Sequence, residues 1–178
     1  MELKRADKSD YKKMKALYLE AFPADERAPF WLMWRKAQKN KAEVYSLMDG
    51  EKWVGLAYVV CHGDLAYLFY LAIERESRGK GYGSKAIACL KKKYEGRRLF
   101  LALETLDEKA ENYEQRVKRH DFYKRCGLSD LPYHLKEASV IYSIMGVGGA
   151  VQPEEYQAMF DEYLGRFLRR LIDMRFVE

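Results

Sequence analysis

The stretch "RGKGYGSKA" at residues 78–86 decides how this chain is interpreted, because it places three glycines between an apolar run and a run with helical periodicity. A glycine-rich turn that leads from a strand into a helix exposes several backbone N–H groups in one direction, and the helix dipole favours negative charge there. The stretch therefore predicts an anion site. Arg78 and Lys80 would add positive charge, and the main-chain groups would come from Gly79, Lys80, Gly81, Tyr82, Gly83 and Ser84.

The segments around this turn have the patterns of strands, a helix and a further strand. Residues 43–73 contain three strand-like runs with turn signals at residues 49–50 and 63–64, which predicts an antiparallel meander ending at Ile73. After the glycine turn, an apolar stripe at helical spacing predicts a helix that ends near Gly96. The apolar run "RRLFLALE" at residues 97–104 then predicts a strand that is buried on both faces and parallel to the strand before the helix.

Periodicity in the rest of the chain predicts the other elements. Helical spacing of apolar residues favours two N-terminal helices, one over residues 8–22 and one from Pro29 onward, and a later helix that ends at Gly127. Residues 132–146 have the pattern of a strand pair. A C-terminal helix is predicted over about residues 153–173, and its apolar stripe comprises Tyr156, Met159, Phe160, Tyr163, Phe167, Leu168 and Leu171.

Composition narrows the class of protein. With 178 residues and 48% hydrophobic content, the chain is expected to form one domain with a small terminal extension. A net charge of +5 accommodates a phosphate-bearing ligand and does not require nucleic acid. No uncharged stretch approaches the ~20 residues that span a bilayer, so we expect a cytoplasmic protein without a membrane partner. Cys61, Cys89 and Cys126 are dispersed, as are the histidines, which predicts neither a disulfide framework nor a metal site.

Two common phosphate loops do not fit the glycine stretch. A Walker loop needs four residues between its first glycine and its Gly-Lys-Ser/Thr end, and that spacing is absent here. A dinucleotide fingerprint needs Gly-x-Gly-x-x-Gly near an N-terminal strand, whereas this chain has Gly-x-Gly-x-Gly in its middle, after a meander. The anion must therefore be explained by another kind of site.

The glycine stretch resembles the cofactor motif Gln/Arg-x-x-Gly-x-Gly/Ala of the GCN5-related N-acetyltransferases, through Arg78, Gly81 and Gly83. A second resemblance is "FYKRCGL" at residues 122–128, which is similar to a late signature of that family, with Leu128 in place of Phe. The order of predicted elements also matches over roughly residues 1–145. The resemblance implies an α/β (α+β) fold: a mixed, mostly antiparallel central sheet flanked by helices, here with a C-terminal helix added.

The same resemblance implies where acetyl-coenzyme A would bind and which groups would act on it. Its pyrophosphate would lie on the main-chain N–H groups of residues 79–84. The N–H of Leu71 would meet the thioester carbonyl, and Ala72 and Ile73 would continue along the pantetheine arm. Tyr123 matches the family's tyrosine acid, which protonates the leaving thiolate. The alternative for Tyr123 is packing beside Phe122 on an amphipathic helix.

The sequence defines less well the general base that would deprotonate the amine and the residues that would bind the acceptor. Tyr67 occupies the place where family members often have a glutamate, so Glu104, at the end of "LFLALE", is the substitute candidate. The alternatives are an ion-paired Glu104 or a water chain in place of a side-chain base. Arg116 stands where relatives often carry an asparagine, and it either reaches phosphate or pairs with Glu104. Acceptor-side candidates are residues 22–31, Tyr67, Tyr70 and Tyr133.

The function expected from these residues is transfer of an acetyl group from acetyl-coenzyme A to a primary amine of a small molecule or protein, without a metal. The alternative is a non-catalytic acyl-coenzyme A sensor or interaction module with the same fold, which the missing strand glutamate favours. The apolar stripe of the C-terminal helix is compatible with a monomer or a homodimer.

Overall fold

The computed structural model describes residues 1–137, 140–165 and 174–177. Its strands are β1 (Glu2–Arg5), β2 (Glu43–Asp49), β3 (Lys52–His62), β4 (Leu65–Ile73), β5 (Arg98–Glu104), β6 (Ser129–Glu137), β7 (Val140–Val147) and β8 (Met174–Val177). Its helices are α1 (Tyr11–Ala21), α2 (Phe30–Gln38), α3 (Tyr82–Lys93), α4 (Tyr113–Arg125) and α5 (Pro153–Leu164). The chain divides into two compact units, the first comprising Met1–Cys61 with Leu68–Glu95 and the second His62–Tyr67 with Gly96–Glu178. The expectation of a single domain stays a prediction.

The first unit is built on the predicted meander. Strand order within it is β1-β2-β3-β4, and β2 pairs antiparallel with both β1 and β3. Helix α3 buries its predicted stripe, with Ala86, Ile87 and Leu90 at 0–1% exposure. Helix α1 likewise buries Met14 and Leu17. The helices predicted from residues 8–22 and from Pro29 onward are confirmed as α1 and α2.

Close approach of β3 and β4 depends on Gly55. A Cβ atom at this position would lie 2.2 Å from the carbonyl oxygen of Ala72, so no other residue fits without moving the backbone. The N–H of Glu74 donates to the carbonyl of Val54 at 2.9 Å just beyond the end of β4. These contacts fix the C-terminal end of β4, which leads into the glycine turn.

The second unit contains the start of β4 and the later strands. Leu65–Tyr67 pair with β5 in parallel register, from Leu65↔Arg98 to Tyr67↔Phe100, as the buried run predicted. Strand order continues β5-β7-β6-β8, and all three of these later pairings are antiparallel. Helix α4 ends before Gly127, whose φ of +82° is the left-handed conformation that glycine adopts at a helix C-terminus. The predicted helix end at Gly127 is confirmed.

Helix α5 begins at Pro153, as predicted. The carboxylate of Glu155 accepts a hydrogen bond from the N–H of Gln152 at 2.9 Å and so caps the start of the helix. Helix α5 buries the first four residues of the predicted stripe, Tyr156, Met159, Phe160 and Tyr163. The helix ends at Leu164, followed by Gly165 at φ +79°. The other predicted stripe residues, Phe167, Leu168 and Leu171, lie outside the described residues.

Strand β8 has no counterpart in the sequence-based prediction. Its four residues, "MRFV", are too few for an alternating pattern to be recognised, and the strand exists through its antiparallel pairing with β6. Among the described helices, none combines the length and the apolar character needed to cross a membrane.

Candidate active site

The glycine turn leads into α3, and the main-chain N–H groups at the start of this helix are free donors. Gly79 and Gly81 have φ values of +74° and +77°, and Gly81 is the residue that precedes the first helical turn. The first hydrogen bond of α3 runs from the N–H of Lys85 to the carbonyl of Gly81 at 3.1 Å. The N–H groups of residues 79–84 donate to no group within the described part of the chain. They are the orphan donors that a helix N-terminus offers to an anion.

Space over the turn is open. A Cβ atom placed on Gly79 or Gly81 would meet no atom within 4 Å, so these glycines are required by their backbone conformation and not by crowding. The turn residues Arg78, Lys80 and Ser84 are exposed. Free donors and open space fit a pyrophosphate group, such as the one in acetyl-coenzyme A.

The two basic side chains of the turn already make hydrogen bonds within the protein. The Nε of Arg78 donates to the carbonyl of Ile73 at 2.9 Å, and its Nη2 donates to Glu20 at 3.0 Å. The Nζ of Lys80 donates to the carbonyl of Glu76 at 2.8 Å. Both side chains therefore brace the turn, and they keep positive charge beside its main-chain N–H groups.

Leu71 lies in the part of β4 that follows its short ladder with β5, since that ladder ends at Tyr67. The carbonyl of Ala72 faces Gly55 on β3. The contact between the N–H of Leu71, one residue before Ala72, and a thioester stays a prediction.

Tyr123 lies in α4, in the second unit. Its ring meets Phe122 edge-on with centroids 4.9 Å apart, as the packing alternative predicted. Its hydroxyl makes no hydrogen bond to any residue that the structure describes. Burial raises the pKa of Tyr123 to about 12, and the Arg119 guanidinium partly opposes this rise. The phenol is therefore protonated at neutral pH and has a proton to donate.

Glu104, at the end of β5, is buried and ion-paired. One carboxylate oxygen contacts Nη2 of Arg116 at 2.6 Å, and the other accepts from Nη2 of Arg119. The side-chain amide of Asn112 lies 3.3 Å from the same carboxylate. Of the alternatives left open by the sequence, these contacts favour pairing of Arg116 with Glu104 over a phosphate contact, and an ion-paired Glu104 over a free base.

The tyrosines expected on the acceptor side are used in packing. Tyr67 is buried against Phe100 and Tyr156, with ring centroids 5.0 and 5.4 Å away. The hydroxyl of Tyr70 donates to the carbonyl of Glu26 at 3.0 Å and so holds the loop between α1 and α2. The hydroxyl of Tyr133 donates to the carbonyl of Val151. Within the described ranges, no group of three or more His, Cys, Asp or Glu side chains is arranged to hold a metal ion.

Arg119 is the residue of this region that the sequence analysis missed. It precedes Tyr123 by four residues on α4, a spacing that puts both side chains on one face of a helix. This spacing was the feature of the sequence from which Arg119 could have been placed beside Tyr123. Its pairing with Glu104, fifteen residues away, required the fold.

Comparisons with known proteins identify the sequence family of this chain and solved structures with a similar fold. The family model described as Acetyltransferase (GNAT) family matches residues 11–128. A protein from Bacteroides thetaiotaomicron assigned to the same family is 19% identical, with a TM-score of 0.75 over 95% of this chain and 99% of that one. An aminoglycoside 6'-N-acetyltransferase complexed with coenzyme A is 16% identical, with a TM-score of 0.64 over 86% and 99%.

A variant of the spermidine N-acetyltransferase from Vibrio cholerae is also 16% identical, with a TM-score of 0.62 over 93% of this chain and 99% of that one. No curated protein gives a significant match to the sequence. At these identities the solved structures show the fold, and the family model, which covers well over half of the chain, shows the family. The chain belongs to the GNAT acetyltransferase family.

Proposed function

We propose that this protein is an acetyl-coenzyme A-dependent N-acetyltransferase that acetylates a primary amine by direct transfer. The observation that supports the proposal is the row of main-chain N–H groups at residues 79–84 that donate to no group in the described chain, within the part of the sequence that the family model matches. As part of the same proposal, the enzyme works in the cytoplasm, as a monomer or homodimer, without a metal ion or nucleic acid.

The donor would be held by main-chain groups of the first unit. The N–H groups of Gly79, Lys80, Gly81, Tyr82, Gly83 and Ser84 bind the pyrophosphate, helped by the dipole of α3. Ala72 and Ile73 line the pantetheine arm. The N–H of Leu71 donates to the thioester carbonyl and stabilises the negative charge that develops there, a contact worth about 3 kcal/mol in comparable sites.

Transfer requires the amine nitrogen to attack the thioester carbon while the bond from that carbon to sulfur breaks. The departing thiolate takes a proton from the hydroxyl of Tyr123, and the phenolate regains a proton from solvent. The raised pKa of Tyr123, about 12, keeps this hydroxyl loaded with its proton at neutral pH. What supports the assignment is the family signature at residues 122–128 and the absence of a competing hydrogen bond within the described chain.

The amine must be neutral when it attacks. Glu104 was the expected proton acceptor, but protonating it would break its ion pairs with Arg116 and Arg119. We therefore propose that the amine gives up its proton to water and that Glu104 serves to hold the two arginines. A carboxylate engaged in this way is also the observation that favours the alternative function, an acyl-coenzyme A sensor.

The acceptor is proposed to be a small cationic amine. Two of the similar structures are an aminoglycoside N-acetyltransferase and a spermidine N-acetyltransferase. These names support a first panel of acceptors containing spermidine, an aminoglycoside, free amino acids and a peptide with a free N-terminus.

The experiment that tests the proposal is amine-dependent release of free thiol from acetyl-coenzyme A, with acetylated product identified by mass spectrometry. We expect turnover with at least one class of amine in the panel. Tight binding of acetyl-coenzyme A with no thiol release above the amine-free control, for any class, would support the sensor. Failure to bind acetyl-coenzyme A at all would remove both functions.

A further inference from the structure

On the basis of the proposed function, we infer that Arg119 is a positioning residue for the acid Tyr123, and that Glu104 takes part in the reaction by holding Arg119 in place. The inference concerns three side chains of the second unit. In this inference Glu104 acts indirectly, through Arg119, and not as a free base. Arg119 in turn supports Tyr123, the proton donor.

The first step is the spacing of Arg119 and Tyr123 along α4. Arg119 and Tyr123 are four residues apart in the C-terminal half of this helix, so their side chains lie on one face. The positive charge of Arg119 acts on the phenol: it lowers the pKa of Tyr123, against the larger effect of burial, which raises it. Cys126 is the other titratable group that acts on Tyr123, and it raises the pKa.

The second step is the anchoring of Arg119 by Glu104. Arg116 is committed to the local structure, because its Nη1 donates to the carbonyl of Thr105 at 2.9 Å and its Nε to Asn112 at 2.7 Å. Its Nη2 pairs with Glu104. The carboxylate held in this way binds the guanidinium of Arg119 with its other oxygen. Arg119 is 45% exposed, against 9% for Glu104, and its guanidinium is anchored by the ion pair with this buried carboxylate.

The third step is the charge that appears during the reaction. When Tyr123 gives its proton to the thiolate, its O–H bond breaks, an S–H bond forms, and negative charge is left on the phenolate oxygen. A cation that is already fixed on the same helix face stabilises that charge without having to reorganise. Arg119 is therefore expected to act on the rate of the chemical step and to leave cofactor binding unchanged.

The kinetic test is a double-mutant cycle between Arg119→Gln and Tyr123→Phe. We expect Arg119→Gln to lower kcat about ten-fold and to leave KM for acetyl-coenzyme A unchanged, with Arg119→Lys, which keeps the cation, recovering part of the loss. In the Tyr123→Phe background, Arg119→Gln should have no further effect. Arg125→Gln is the matched control, because it removes an exposed arginine from the same helix. Equal losses from Arg119→Gln in both backgrounds would overturn the inference.

A second readout does not depend on activity. In protein labelled with 3-fluorotyrosine, the ¹⁹F resonance of Tyr123 can be assigned by its loss in Tyr123→Phe. Its titration should move to higher pH in Arg119→Gln and stay in place in Arg125→Gln. An unchanged titration in Arg119→Gln would overturn the inference even if the enzyme is active. Conversely, an absence of thiol release by the wild-type protein would refute the proposed function while the shifted titration would still support the coupling of these residues.

Discussion

A single oxygen atom distinguishes Tyr123 from phenylalanine, and the proposed chemistry depends on it. We expect Tyr123→Phe to lower kcat about 100-fold, because the thiolate then has to take its proton from water. Since the ring packs against Phe122 in either case, KM for acetyl-coenzyme A and the melting temperature should not change. Thiol release and thermal unfolding are the measurements, and Tyr113→Phe, on the same helix, is the control. Full turnover by Tyr123→Phe would place the acid elsewhere.

Gly81 tests the anion site in a way that separates charge from backbone strain. Both Asp and Asn tolerate the left-handed conformation that Gly81 adopts and can cap a helix N-terminus, but only Asp carries a negative charge. We expect Gly81→Asp to abolish the stabilisation of the protein by acetyl-coenzyme A, while Gly81→Asn keeps much of it. Thermal unfolding with and without the ligand measures both. If the two variants respond alike, repulsion of a bound phosphate is not the cause.

The residues of the site differ in how far sequence could predict them. The donors at residues 79–84 were predictable because the conformation of a glycine turn depends on local chemistry. The state of Glu104 was not, because its partners Arg116 and Arg119 reach it only once α4 lies beside the end of β5. The sequence offered pairing with Arg116 as one of two alternatives, and it gave no reason to choose between them. For Leu71, whose proposed role belongs to its N–H, the side chain carries no information.

At the scale of elements, the side chain of Asp130 joins β6 to α4. Asp130 on β6 contacts His120 at 2.7 Å and Lys124 at 3.2 Å. Burial alone would raise the pKa of Asp130, but these contacts outweigh it and lower the pKa from its ordinary value of 3.8. The ionised carboxylate therefore stabilises the fold at neutral pH, and this contribution is lost as the pH falls through the lowered pKa.

We accordingly expect Asp130→Asn to lower the melting temperature at pH 7, and the difference from wild type to disappear as the pH falls below the ordinary carboxyl pKa of 3.8 and through the lowered pKa of Asp130. Asp121→Asn, which removes an exposed carboxylate from α4, should not show this dependence. Thermal unfolding across the pH range is the measurement. A difference that persists at pH 2 would mean that Asp130 stabilises the fold by packing and not by its charge.

The elements themselves were largely predictable, and the exceptions have physical causes. Strand β5 was recognised because a strand buried on both faces is apolar throughout, and α3 because its stripe has helical spacing. Helix α5 was predicted from Pro153, but the apolar residues beyond Gly165 continue the helical spacing, so the pattern alone gave no end at Leu164. Strand β8 is defined by pairing with β6, an interaction between distant segments that periodicity does not encode.

For the whole molecule, the family assignment and the free N–H groups of the glycine turn together predict how the protein responds to its cofactor. Acetyl-coenzyme A at ~100 times its dissociation constant should add about 2.7 kcal/mol to the free energy of unfolding, because it binds only the folded state. S-acetylpantetheine carries the same thioester and arm but no pyrophosphate. If the main-chain donors hold the pyrophosphate, the shorter compound at the same concentration should raise the melting temperature far less.

Varying the salt concentration provides the control for this comparison of acetyl-coenzyme A with S-acetylpantetheine. Interactions of the pyrophosphate with exposed turn residues are screened as ionic strength rises, whereas contacts of the pantetheine arm with β4 are not. We expect the shift caused by acetyl-coenzyme A to shrink between low salt and about 0.5 M salt, and the small shift caused by S-acetylpantetheine to stay constant. Equal shifts from both compounds at every salt concentration would show that the glycine turn does not bind the pyrophosphate, and the assignment of the anion at residues 79–84 would be wrong.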